Sequence, residues 1–182
     1  ASPTLGGFGC LFIARGCVED CILRNCVSAN PYVHFYNTYK GNYYAALKRC
    51  IITNNTATAN LNGAISLRYN ARVEDCFIDN NSSRTYGHGE NIGVASADVK
   101  TVLIRNCTFG VGPLGWQKAF SSGSDDGLAG TFVNCTFLVG PNLSTGREFH
   151  LTNCAATQNI EASQGKSGST VEGMKVMTLA EM

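Results

Sequence analysis

Val18-Glu19-Asp20-Cys21 returns unchanged as Val73-Glu74-Asp75-Cys76, and that recurrence decides how the rest of the chain is read. A looser form stands at Leu47-Lys48-Arg49-Cys50, Ile104-Arg105-Asn106-Cys107, Phe132-Val133-Asn134-Cys135 and Leu151-Thr152-Asn153-Cys154. The shared pattern is an apolar residue, a variable one, a polar residue that is usually Asn or Asp, and then Cys. Successive cysteines of the set lie 29, 26, 31, 28 and 19 residues apart, within the range of about 20–50 residues that marks stacked structural repeats. The unequal intervals imply loops of variable length on a fixed frame. The register of the first copy is open, because Leu23-Arg24-Asn25-Cys26 fits the pattern almost as well.

Around each copy there is room for short strands. Gly63-Ala64-Ile65-Ser66-Leu67-Arg68-Tyr69 alternates with period two among turn residues, as a strand with one face inward does. Gly93-Val94-Ala95-Ser96 and Gly127-Leu128-Ala129 are expected to fill the same slot. After the cysteines, Cys76-Phe77-Ile78, Cys107-Thr108-Phe109 and Cys135-Thr136-Phe137-Leu138 read as further short strands. Twenty Gly against four Pro, with many Asn, favour frequent chain reversal over helix.

This succession of strand, bend, strand, tight polar turn, strand and loop resembles the right-handed parallel β-helix of the pectate-lyase-like superfamily and of phage tailspikes, over roughly residues 10–155. In that family the second and third strands of a coil meet at a tight turn that often carries Asn, and equivalent residues stack into ladders. Asp20, Asp75, Asn106, Asn134 and Asn153 fit that turn position, with Arg49 as the departure. The fold expected is therefore all-β, a parallel β-helix of about 5–7 short coils over residues 1–160. Residues 161–182 read as a Gly/Ser-rich linker and a strand-like tail.

Strands spaced at about 4.8 Å would set each Cys over the previous one, in an interior column of small polarizable side chains. That spacing does not by itself exclude disulfides, but reduced structural thiols are the favoured reading. There is no Cys-x-x-Cys, and His34, His88 and His150 are scattered, so neither a metal nor any other cofactor is expected.

Fourteen Lys and Arg against 13 Asp and Glu give a net charge of +1, which argues against a nucleic acid or an acidic membrane held mainly by charge. No stretch approaches the roughly 18 consecutive apolar residues of a membrane span. Chemistry would have to sit on the loops. The first, from Pro31 to Tyr44, holds five of the seven Tyr, and Tyr36, Tyr39, Tyr43 and Tyr44 suit a protein interface or the faces of sugar rings. A second loop brings Arg84, Tyr86, His88 and Glu90 close in sequence, and a third carries Trp116 with Asp125 and Asp126. Arg84, His88, Glu90, Asp125 and Asp126 are the candidate acid, base and anion-stabilising groups of a polysaccharide lyase or glycoside hydrolase. Tyr86 and Trp116 join the tyrosines as candidate binding residues.

The usual calcium-binding acids and catalytic Arg of the lyases do not map onto this chain residue by residue, which weighs against catalysis. A short solenoid also leaves two bare ends, which favours burial against further subunits. The leading expectation is a structural or adhesive protein of a virus particle, such as a phage spike, fibre head or capsid decoration at the virion surface. It would be a homotrimer that contacts other virion proteins or a surface glycan. The alternatives are a polysaccharide-active enzyme and a secreted bacterial glycan-binding protein.

Overall fold

The computed structural model describes residues 11–28, 33–35, 44–57, 65–67, 70–83, 92–94, 101–110, 120–121, 130–138, 143 and 148–181. Leu11–Ile13, Gly16–Glu19, Ile22–Arg24 and Val27–Ser28 are four short strands in a row, and each opens a different sheet. The chain then returns to the sheets in the same order. The first sheet gains Val33–Phe35, Ile65–Leu67, Ile92–Val94 and Phe120–Ser121. The second gains Ala45–Lys48, Ala71–Glu74, Leu103–Arg105, Gly130–Val133, Phe149–Thr152 and Thr170–Glu172. The third gains Ile51–Thr53, Phe77–Asp79, Thr108–Phe109, Thr136–Phe137, Ala155–Ala156 and Lys175–Val176, and the fourth gains Thr56–Ala57 and Ser82–Ser83. The second and third sheets thus have seven parallel strands each. Strands that pair belong to successive circuits of the chain, an order compatible with a parallel β-helix. Each circuit is called a coil below.

Register confirms the repeat residue by residue. Val18, Leu47, Val73, Ile104, Phe132, Leu151 and Val171 stand in one row of the second sheet. The last of these belongs to Val171-Glu172-Gly173-Met174, a seventh copy that the tetrapeptide pattern hides because Gly replaces the polar residue and Met the Cys. The segment read as a tail therefore adds one strand to each large sheet, and those sheets continue past residue 160.

The turn residue adopts the left-handed conformation in every copy, with φ of 58° at Asp20, 50° at Arg49, 54° at Asp75, 52° at Asn106, 53° at Asn134, 52° at Asn153 and 63° at Gly173. One such residue swings the chain from one sheet to the next, and Asn, Asp and Gly tolerate it best. Arg49 adopts it as well, despite its long side chain. The two readings of the first copy are both correct, because they are different turns. Asp20 stacks under Arg49 at the turn between the second and third sheets, whereas Asn25 (φ 57°) stacks under Asn54 (56°) and Asn80 (52°) at the turn that follows the third sheet.

The first-sheet strand at Ile65–Leu67 falls inside the stretch expected for it, and the next begins at Ile92, one residue before Gly93. In the following coil the first-sheet strand is Phe120–Ser121. Gly127, Leu128 and Ala129 come after it and lie outside the described residues.

The core is the space the sheets enclose. Period-two alternation sends Phe132, Phe149 and Leu151 inward while Thr131, Val133 and His150 face out. Ile52, Ile78, Phe109, Phe137 and Ala156 line the third sheet's inner side, and Val33, Phe35, Ile65 and Leu67 the first's, all fully buried. Phe137 stacks on Phe109 with ring centroids 5.5 Å apart and meets Phe132 edge-on at 5.8 Å.

Two side-chain columns satisfy the backbone at the turns. Cys50, Cys76, Cys107, Cys135 and Cys154 are buried. Each directs its thiol to the carbonyl two residues earlier, for example Cys76 to Glu74 at 3.1 Å. The Cys50 amide in turn meets the Cys76 sulfur at 3.5 Å, and the same contact recurs along the column. At the other turn, buried Asn does this work. Asn55 Oδ1 accepts from the Cys26 amide at 3.1 Å, and Asn81 Oδ1 accepts from the Asn55 amide at 3.2 Å. Their Nδ2 groups donate to the carbonyls of Leu23 and Ile52 in the preceding coil.

Candidate functional surface

Of the residues proposed for binding, Tyr36, Tyr39, Tyr43, Tyr86 and Trp116 lie outside the described residues, as do the catalytic candidates Arg84, His88, Glu90, Asp125 and Asp126. Tyr44 is described. It immediately precedes the strand Ala45–Lys48, is 44% exposed, and holds the Arg72 guanidinium over its ring, with Cζ 4.8 Å from the centroid.

The outer face of the second sheet carries matched charges in its first four coils. Glu19, Lys48, Glu74 and Arg105 occupy one row. Lys48 Nζ approaches Glu74 Oε2 at 3.4 Å and Arg105 Nη2 approaches it at 3.0 Å, so a carboxylate with 3% exposure lies between two cations of neighbouring coils. At the turn, Arg49 donates from Nε and Nη2 to both oxygens of Asp20, at 2.7 and 2.8 Å, and from Nη2 to Glu19 at 2.7 Å. This fork holds the Asp20 carboxyl below the ordinary aspartate range and raises Arg49 further above its own.

Because Asp20 is depressed in the folded chain, the stabilisation from this pairing is present above the unfolded aspartate pKa and is lost as pH falls through the lower folded value. In Arg49→Ala, the Asp20 carboxyl followed by NMR is expected to titrate near the ordinary value of about 3.9. An unmoved Asp20 curve would show that the fork is not the cause.

A second grouping was not anticipated from sequence. His150 Nδ1 lies 3.0 Å from Thr170 Oγ1, and its Nε2 lies 3.3 Å from Glu148 Oε1. Hydroxyl, imidazole and carboxylate in that order form a proton relay of the type that activates hydroxyl nucleophiles. Here it arises from the ladder, since His150 and Thr170 are directly paired. Thr170 is exposed on an open sheet face, whereas acyl transfer requires donors converging on the oxyanion in a water-excluded site. We read the group as ladder pairing on the surface.

The outer face of the third sheet differs in character. The position directly after the Cys points outward there, and Ile22, Ile51 and Phe77 stack in register at it, 62%, 41% and 40% exposed. In later coils the same row continues as Thr108, Thr136, Ala155 and Lys175. Val27, in the first coil, is also exposed. Three large apolar side chains left in water in one line are the kind of patch that marks an interaction surface. The signal was present in the sequence as an apolar residue after Cys21, Cys50 and Cys76 that gives way to Thr after Cys107 and Cys135. Reading it required knowing which side of the strand faces out.

Among the described residues no group of three or more His, Cys, Asp or Glu is placed to hold a metal ion, and no helix is long and apolar enough to cross a membrane. Comparison with family models, with curated proteins and with solved structures gives no match.

Proposed function

We propose that this protein is a structural or adhesive component of a virus particle, such as a phage spike, fibre head or capsid decoration. Its fold would be a parallel β-helix of the kind found in the pectate-lyase-like superfamily and in tailspikes. Copies would pack side by side as a trimer at the virion surface and contact other virion proteins or a surface glycan. The observation that carries this reading is the exposed apolar row Ile22, Ile51 and Phe77.

Because the row runs along the stacking direction, copies with parallel axes can meet over its whole length, and equivalent levels meet one another about a rotation axis. An apolar line flanked by polar rows, with Asp20, Arg49 and Asp75 on one side and Arg24, Thr53 and Asp79 on the other, has the apolar centre and polar rim of a protein interface. In this reading Tyr36, Tyr39, Tyr43, Tyr44, Tyr86 and Trp116 supply the rings that stack on a glycan or anchor a neighbouring protein.

The test is the native mass by light scattering, for the native chain and for Ile51→Lys combined with Phe77→Lys. Both positions face outward, so the double variant is expected to keep the fold by circular dichroism and to fall from trimer to monomer. A monomeric native chain would overturn the trimer. A trimer indifferent to the two lysines would overturn the row as its interface.

A further inference from the structure

The cysteine column ends at the surface. Cys21 occupies the first place in it, and its thiol points to the Glu19 carbonyl at 3.2 Å, as Cys50 points to the Lys48 carbonyl at 3.2 Å and Cys107 to the Arg105 carbonyl at 3.2 Å. The side chains thus share one orientation, yet Cys21 is exposed while Cys50, Cys76, Cys107, Cys135 and Cys154 are buried. Adjacent members are separated by one strand spacing, roughly 4.8 Å between Cα atoms, inside the window of ~4.4–6.8 Å that a disulfide spans. Bridging two of them needs rotation of the sulfurs away from their carbonyls and little backbone movement.

Reactivity differs along the column in a usable way. Burial pushes the Cys50 thiol up. The neighbouring Cys135 sulfur and burial together hold the Cys107 and Cys154 thiols above the ordinary thiol range. Cys135, set between those two thiols, is pulled down. Cys50, Cys107 and Cys154 are thereby kept neutral and slow to react, while Cys76 and Cys135, which neighbouring thiols pull down, are shut off from an oxidant in solution by burial. Cys21, in water, is the member that an oxidant meets first.

We propose that Cys21 and Cys50 form a redox-active pair, Cys21 attacking a small-molecule disulfide and Cys50 resolving the product, so that oxidation staples the first coil to the second. The Cys21 thiolate attacks one sulfur of glutathione disulfide. A mixed disulfide forms and the first glutathione leaves as its thiolate, which takes up the proton that Cys21 gave up. Cys50 then loses its proton, attacks the Cys21 sulfur and expels the second glutathione. One protein disulfide and two glutathione thiols are formed from two protein thiols and one glutathione disulfide, so atoms and electrons balance.

The consequence is local. Among the described residues the first coil pairs on one side only in the second, third and fourth sheets, and its inward residues Val18, Leu23 and Cys26 are only partly buried. A covalent tie to the second coil restrains its fraying, and the amides of Val18 and Leu23 are expected to exchange with solvent roughly tenfold more slowly or better.

The experiment uses the whole folded chain with Cys17→Ser. This exposed thiol lies on the outer face of the second sheet, outside the column, and would otherwise share a tryptic peptide with Cys21. The protein is equilibrated with glutathione disulfide, alkylated, and analysed by intact mass and non-reducing peptide mapping. The expected result is loss of two hydrogens and a Cys21–Cys50 cross-linked peptide, absent in Cys21→Ser and reversed by dithiothreitol. A glutathione adduct that persists on Cys21, a bond from Cys21 to Cys10 or Cys26, or bonds between chains would each overturn the pair. Cys21 is exposed, so Cys21→Ser keeps the fold, and its circular dichroism checks this.

Discussion

An Asn81→Leu variant is expected to unfold about 3–4 kcal/mol more easily than the native chain. Asn81 is fully buried and has a place in a ladder that crosses coils. Its Oδ1 accepts from the Asn55 amide at 3.2 Å and from Asn55 Nδ2 at 2.8 Å, while its Nδ2 donates to the Ile52 carbonyl at 2.9 Å. Leucine is similar in size but offers neither acceptor nor donor. The Asn55 amide is left without its acceptor and the Ile52 carbonyl without this donor, both away from water, and each unmet group costs about 1–3 kcal/mol.

The neighbouring position supplies the control. Asn80 is partly exposed and left-handed, and its side chain donates only to the Asn54 side chain at the surface, so Asn80→Gly keeps the turn and is expected to lie within about 1 kcal/mol of the native chain. Urea unfolding of the three proteins separates the outcomes. An Asn81→Leu cost under about 1 kcal/mol would mean that the ladder is not what closes the backbone at this turn.

Phe137→Ala is expected to cost about 3–5 kcal/mol, the range for emptying an aromatic site in a packed interior. Phe137 is fully buried, stacked on Phe109 and edge-on to Phe132. All three belong to the sheets of two successive coils, which leaves little freedom to collapse into the void. The comparison residue is Phe77, at the outward position of the same sheet and 40% exposed. Phe77→Ala is expected to leave unfolding of the isolated chain within about 0.5 kcal/mol and to act on association instead. Equal losses at the two positions would contradict the assignment of inner and outer faces.

Particular residues show how much of this was legible beforehand. The turn position was readable because a left-handed residue is a local requirement that Asp20, Asp75, Asn106, Asn134 and Asn153 meet by chemistry alone. Arg49 departs from the type and still takes the turn, held by a fork to Glu19 and Asp20 that only the neighbouring coil supplies. Asn25 was legible as a turn but not as a second kind of turn, because Cys26 stands where the later coils carry Asn55 and Asn81. The loop residues that drew attention for catalysis, Arg84, His88, Glu90, Asp125 and Asp126, lie outside the described residues. The surface that the structure does reveal, the row of Ile22, Ile51 and Phe77, looked like core sequence, since an apolar residue next to Cys carries no mark of the direction it faces.

The all-β pattern of short strands and the recurring left-handed turn were legible in the sequence, because each depends on residues within a few positions of one another, and the return of Cys after that turn pointed to a column. Only the tertiary structure decided that Met174 completes the column, that Glu74 lies between Lys48 and Arg105, and that three apolar side chains share one outer line. These are relations between coils, and repeats 29, 26, 31, 28 and 19 residues apart do not fix them locally. Loops of unequal length separate the partners, and backbone pairing between parallel strands sets their register.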